Sequence, residues 1–421
     1  MTNDLLDFID ASPTPYQGVA EIEKRLKDNG FMECSLDETF QLDQAKKYFC
    51  KRSGAVIAFE LGSEKPWEAG FSIVSSHLDS PCLRIKPNPG IKKKNYIQLN
   101  TEVYGGPLFY TWFDKPLSLA GKVYYEKDGK LIGQLVHIKK PLTIIPSVAI
   151  HMNREANKKF APNPQKDLLP IFVDLGQKVQ DPLYQALEKE LQVEKSAILD
   201  FDLFLFPVEK SLSIGLEGEL ISAPRLDNLA SAHASLQGLL KSKETKKTKV
   251  VNFLNHEEIG SLTEEGASGN FAYEVLERIV YACGGNKEDF YRASHKSFLL
   301  SADLAHALHP AHEEFADPTN QPLMGKGPVI KLAANRSYVS TGETSALIEL
   351  LCKKNHIPYQ TFVNASDRRG GSTLGPLLQE SLNIPGVDVG TPILAMHSNR
   401  ELGAWKDQEN YEKLFTVYFE S

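Results

Sequence analysis

Cysteine is scarce in this chain: there are five in 421 residues, at positions 34, 50, 82, 283 and 352, and no two form a C-x-x-C pair. That spacing excludes a zinc ribbon and a disulfide framework and fits a reducing compartment. Long apolar runs are also missing; none approaches the about 18 residues of a membrane-spanning helix. The opening stretch MTNDLLDFIDASPTPYQ carries aspartates and no basic region, which is not the make-up of a signal peptide. Positive charge is in deficit, with 47 Lys and Arg against 54 Asp and Glu, a formal net charge of −7. Such a chain has no global attraction for nucleic acid or anionic membrane. The short basic runs Lys92-Lys93-Lys94 and Lys241 to Lys249 read as solvated surface. Internal repeats and low-complexity tracts are lacking too. The expectation is a cytoplasmic protein with neither nucleic-acid nor membrane partners.

What is present is an ordinary globular composition, 42% hydrophobic and 24% charged, in a chain too long for one simple core. At about 150 residues per domain, two domains are expected. Helical spacing covers Asn3 to Asp10 and Tyr16 to Asn29, with Gly30 placed as a C-terminal cap. Strands follow in KKYFCKR, AVIAFEL and FSIVSS, the last running into His77. Between Arg84 and about Leu220 the texture becomes short β runs: YIQLNTEVYGG, LSLAGKVYYEKDGKLIGQLVHI with its Asp128-Gly129 turn, and LTIIPSVAI. One helix, Asp181 to Val193, interrupts them. Beyond Pro224, strands VVNFL, SFLLSAD, PVIKLA, TFVN and GVDVG alternate with helices over Asp227 to Lys241, Asn270 to Ala282, Glu343 to Asn355, Ser372 to Leu382 and from Gln408 on. Alternation of this kind predicts an α/β sheet with helices on both faces. Residues 1–84 and 222–421 form that domain, and a mostly β block, 85–221, is inserted into it.

Acidic and histidine side chains recur where predicted strands end. SSHLDSPC supplies His77 and Asp79, PRLDNLA Asp227, NHEE Glu257 and Glu258, SADLAHALHP Asp303 followed by His306 and His309, and AMHSNRE His397. Ligand sites of α/β sheets form outside the carboxyl ends of the strands. Singly, each residue also reads as a cap or turn residue. Together, His77, Asp227, Glu258, Asp303 and His397 match the needs of two zinc ions. With Asp227 bridging, each ion receives one His, the bridge and one further carboxylate, and a position stays open for water. Glu258 is then occupied, so a second carboxylate is needed as general base, and Glu257 adjoins it. Asp79 can accept the other ring N–H of His77 and fix its tautomer. A single-zinc H-E-x-x-H site is excluded because Gly260 stands where the second His belongs.

HLDSPC, LDNL, NHEEIGS, SADLAHALHP, GPVIKLAANRSY, GGSTLGP and MHSNRE, in this order, resemble the aspartyl aminopeptidases, cocatalytic di-zinc exopeptidases. The resemblance implies a di-zinc aminopeptidase-like mixed sheet interrupted by a β-rich dimerisation domain. It implies dimers assembled into a tetrahedral dodecamer that removes N-terminal acidic residues (Asp or Glu) from peptides. It carries over His77, Asp227, Glu258, Asp303 and His397 as ligands of two Zn2+ per subunit, with Co2+ or Mn2+ as substitutes, and Glu257 as base. It also turns His306, Lys331 and Tyr338 toward the substrate, where Lys331 suits an acidic side chain. The backbone N–H groups of Gly371, Ser372 and Thr373 at a helix start would suit it as well. His151, in AIHMNRE, matches a histidine that reaches a neighbouring subunit's site. Arg368-Arg369 before Gly370 departs from the pattern and leaves the preferred residue open. Two other readings stand beside this one: a di-metal amidase acting on small N-acyl amino acids, and a non-catalytic scaffold stabilised by metal.

Overall fold

The computed structural model describes residues 4–42, 46–173 and 181–421. Its largest sheet has nine strands in the spatial order Met32–Glu33, Lys47–Lys51, Val56–Glu60, Thr248–Leu254, Phe71–His77, Phe298–Ala302, Gly386–Gly390, Val329–Lys331 and Gln360–Phe362. The four central strands, Thr248–Leu254 to Gly386–Gly390, run parallel; antiparallel neighbours flank them on each side. Every residue of Phe71–His77, Thr248–Leu254 and Gly386–Gly390 is buried, as expected of parallel strands covered on both faces.

The side chains of these strands alternate between two apolar layers. Val251 and Phe253 join a core closed by helices Leu226–Lys241 and Trp405–Phe419 through Leu236, Tyr411 and Phe415. Val250 and Leu254 join the opposite core, closed by Phe271–Ala282, Lys287–His295 and Leu374–Leu382 through Ile279, Phe290 and Leu378. A charged residue, Lys249, lies in the middle of this sheet with 1% exposure. Its ammonium donates to Ser242 Oγ at 2.9 Å and meets Glu60 at 3.5 Å, so the charge is compensated rather than stranded.

A second, antiparallel sheet of six strands comes from residues 82–207, in the order Lys130–His137, Leu117–Lys127, Ile198–Pro207, Cys82–Lys93, Tyr96–Tyr104, Ile171–Val173. It has its own apolar core, onto which helix Pro182–Leu191 lays Leu183, Leu187 and Leu191 at helical spacing. Past Pro207, strand Leu212–Ile214 pairs with Leu220–Ala223, which pairs in turn with Glu401–Ala404 of the α/β unit.

Three expectations need correction. LTIIPSVAI forms no strand; Thr143, Ile144 and Ile145 make isolated bridges only, because Pro141 and Pro146 remove the donors a ladder needs. The helix over Asp227 to Lys241 opens with two non-helical residues, Asp227 and Asn228. Helix Lys287–His295 is additional to the expected set, with Asn286 and Asp289 closing a capping box around its start. Among the described residues, no helix is long and apolar enough to cross a membrane.

Candidate metal centre

The parallel strands deliver their carboxyl ends to one edge of the sheet. His77 is the last residue of Phe71–His77, and Leu254 beside it leads into the turn that carries Glu257 and Glu258. His256 takes the left-handed conformation (φ 62°) and Glu257–Ile259 is a short 3-10 turn, which brings both carboxylates toward His77 rather than to opposite sides. Asp303 follows Ala302. Its backbone passes so close to Gly390 that a Cβ there would meet the Asp303 carbonyl oxygen at 2.0 Å. Asp227 sits at the irregular start of its helix, and His397 (φ 66°) in a loop before Glu401–Ala404.

The side chains converge. His77 Nε2 lies 3.7 Å from Asp227 Oδ1 and 3.9 Å from Asp303 Oδ1. His397 Nε2 lies 3.6 Å from Asp227 Oδ2 and 3.4 Å from Glu258 Oε2. Donor atoms of His77, Asp227 and Asp303 fall within 4.8 Å of one another, and so do those of Asp227, Glu258 and His397. The two triads share Asp227, one oxygen facing each. Glu257 lies at their edge, 4.0 Å from His77 Nε2 and 17% exposed.

The donor set fits divalent cations. Asp227 Oδ1 and Glu258 Oε1 are buried and lack any hydrogen-bond donor, an arrangement that costs several kcal/mol per charge unless a cation or proton meets them. Protons respond accordingly. Burial opposes charge on His77, yet the neighbouring Asp303 and Asp79 carboxylates hold its proton well above the usual histidine range. Burial opposes His397 too, but Asp227 and Glu258 lift it to about 10. Burial pushes the Glu257 carboxyl up to about 8, with His77 drawing it back and Asp303 adding to the rise. Glu258 is pushed well up by burial and by Asp227. Asp303 is held down, to about 2, because Lys331 and His77 outweigh its burial.

A pH dependence follows. At neutral pH the cation-free cluster keeps protons on His77 and His397, whereas cations require deprotonated donors. Zinc uptake at pH 7 should therefore release protons, and affinity should climb as pH rises toward 8. Calorimetry in buffers of different ionisation enthalpy checks this; uptake without proton release would contradict the ligand set.

Asp79, 1% exposed, faces His77 Nδ1 with its carbonyl oxygen (3.0 Å) and its carboxylate (3.3 Å). The carboxylate also accepts the backbone N–H groups of Glu257 and Glu258, each at 3.1 Å. Lys331 ends strand Val329–Lys331. It is 3% exposed, donates to the Leu304 carbonyl at 3.0 Å and meets Asp303 Oδ2 at 3.4 Å, so its charge is already committed behind a metal-ligand candidate. Tyr338 is buried against it, with the Lys331 ammonium 5.1 Å from its ring centre. His306 and Gly371 line a cavity of about 280 Å3 together with His309, His312, Arg368 and Arg369. Ser372 is exposed and donates to the Ser337 carbonyl at 3.2 Å. His151 is exposed in the β-rich unit and has no hydrogen bond or ion pair among the described residues; the structure does not bring it to the two triads of its own chain.

Sequence reasoning misses Tyr104, Gly106 and Glu401. Glu401, 2% exposed, accepts N–H groups from both Asp227 (2.9 Å) and His397 (2.7 Å), and burial raises its carboxyl to about 8. It closes the MHSNRE motif, but no local spacing distinguishes such a clamp from a strand-edge charge. Tyr104 donates to Asp79 Oδ2 at 2.8 Å and the Gly106 carbonyl faces His397 Nδ1 at 3.1 Å. Both come from the β-rich unit, and only the tertiary structure reveals them.

The family model described as Aminopeptidase I zinc metalloprotease (M18) matches residues 8–419. The chain is 47% identical over 423 residues to the Probable M18 family aminopeptidase 2 of Clostridium novyi (strain NT), covering 99% of this chain and 98% of that one. Among solved structures, it superposes with TM-score 0.96 and 36% identity on a chain of the Ape4 and Nbr1 complex, covering 99% of this chain and 85% of the other. The S. cerevisiae mApe1 dodecamer matches with TM-score 0.85 and 27% identity, covering 99% and 96%.

Proposed function

Because the chain belongs to the M18 family of zinc metallo-aminopeptidases, we propose that it removes acidic N-terminal residues from peptides at a dinuclear zinc centre with Glu257 as general base. The observation that carries this reading is the pair of His–carboxylate triads sharing Asp227. One ion would be held by His77, Asp227 and Asp303, the other by Asp227, Glu258 and His397. When bound, two such ions supply Lewis acidity, activating water and polarising a carbonyl.

The chain's own residues do the rest. Glu257 accepts a proton from the attacking water and returns it to the departing amine. It stands at the margin of the cluster, 4.0 Å from His77 Nε2 and partly open to solvent. Asp79 orients His77, and Glu401 holds the backbones of Asp227 and His397. Support for an acidic preference lies in the cavity lined by His306, Arg368 and Arg369, since Lys331 is already paired with Asp303. Dimers assembled into a dodecamer, with His151 of one subunit serving a neighbour, and a cytoplasmic location complete the reading. The mApe1 assembly supports the first of these.

A panel of Asp-, Glu- and Leu-anilides and N-acyl amino acids, assayed with and without chelator, tests the function. Native mass measurement on the same preparation gives the subunit count. Chelator-sensitive turnover highest on Asp or Glu is expected; preference for N-acyl amino acids would favour the amidase reading.

A further inference from the structure

We infer that Tyr104, Gly105 and Gly106, where the β-rich unit meets the α/β unit, form a positioning device for the Glu258/His397 half of the centre, so that the cation held there depends on how the β-rich unit is seated. The inference rests on the dinuclear reading above. Gly105 and Gly106 touch this half directly, and Tyr104 reaches it through Asp79.

Tyr104 acts through Asp79. That carboxylate is 1% exposed, and four donors surround it. Oδ1 receives Glu257 N–H and lies near His77 Nδ1. Oδ2 receives Glu258 N–H at 3.1 Å and the Tyr104 hydroxyl at 2.8 Å. A buried carboxylate needs its lone pairs met. Removing the phenol oxygen leaves Oδ2 with Glu258 N–H alone, so the carboxylate turns, and the backbone of Glu258 turns with it. The phenol is itself fixed: Tyr104 pairs with Cys82 in the second sheet, and its ring stands edge-on to Phe204 at 5.8 Å.

Gly105 has φ +68°, and a Cβ on it would lie 3.1 Å from the Cβ of Glu258. Its lack of a side chain allows the β-rich unit to close against that ligand candidate. Gly106 supplies the carbonyl that accepts from His397 Nδ1. This fixes the tautomer and leaves Nε2 free, the atom that faces Asp227 and Glu258. The same segment holds the His397 loop twice more: Leu108 N–H donates to the His397 carbonyl at 2.9 Å, and Asn399 N–H to Thr111 Oγ1 at 3.0 Å. The other half is oriented from within the α/β unit: His77 sits closer to the Asp79 carbonyl (3.0 Å) than to the Asp79 carboxylate (3.3 Å), and Asp303 is held by Lys331.

The test uses full-length, zinc-loaded protein equilibrated with graded chelator, with bound zinc counted by elemental analysis. The unchanged chain should lose two ions. Tyr104→Phe should lose one of them at a chelator strength about 10–100-fold lower, the usual effect of removing a residue that orients a ligand, while the other leaves as before. In a His397→Ala background, which retains only the opposite ion, Tyr104→Phe should add nothing. Gly105→Ala should show the same selective loss and decides the matter if Tyr104→Phe does not fold by circular dichroism. Unaltered release of both ions in folded variants, or equal weakening of both, would overturn the inference. A single ion on the unchanged chain would overturn the dinuclear reading itself, and this inference with it.

Discussion

Glu257→Gln should retain both metal ions and the substrate affinity but turn over about 10²–10⁴-fold more slowly, the usual contribution of a positioned acid–base group. The amide keeps the volume and the turn but cannot take a proton. At about 10³-fold the loss corresponds to about 4 kcal/mol of transition-state stabilisation. Because the carboxylate of Glu257 also lies within reach of His77 and Glu258, metal content must be measured beside kcat. Loss of an ion in this variant would move Glu257 into the ligand set. A near-normal kcat with full metal content would remove it from the mechanism.

Asp227→Ala should have the larger effect. Each triad counts Asp227 among its three donors, so the substitution leaves both ions with two protein ligands, below the three a catalytic zinc site requires. Bound metal should drop from two ions to less than one per subunit, and hydrolysis to background. His397→Ala, by contrast, should keep the ion held by His77 and Asp303. Stability gives an independent readout. Ligand binding at about 1,000 times Kd contributes about 4.1 kcal/mol, so zinc should raise the melting temperature of the unchanged chain and leave that of Asp227→Ala nearly fixed. In chelator the order should reverse, because the variant carries one fewer carboxylate in a crowded acidic cluster. A zinc-induced stabilisation equal in both proteins would show that the ions bind elsewhere.

Much of the centre is legible in the amino-acid sequence. His77, Asp303 and the Glu257-Glu258 pair end or follow strands that alternate with helices, the pattern of an α/β sheet. Topology then carries such residues to a common edge. Asp227 and His397 are recognisable only as members of the set. Lys331, a lysine in an apolar strand, reads as a specificity element; that its ammonium also meets Asp303 is visible only in the tertiary structure. Helix Lys287–His295 escapes a reading by periodicity because its polar sequence buries little beyond Phe290 and Ala293. Tyr104 and Gly106 act across the boundary between the two units, and Glu401 grips two loops far apart along the chain. Pair contacts of that kind leave no trace in local spacing.

The place at which the β-rich unit interrupts the large sheet bears on how the chain acquires its shape. Leu254 is registered against His77, although the whole second sheet intervenes between them along the chain. Bringing such distant partners together costs loop entropy, though only about 0.6 kcal/mol for each doubling of the excursion. An excursion that condenses early around its own apolar centre shortens the effective tether. The central strands would then meet late, as the last long-range pairing to form, and the acidic cluster would assemble only in that closing step.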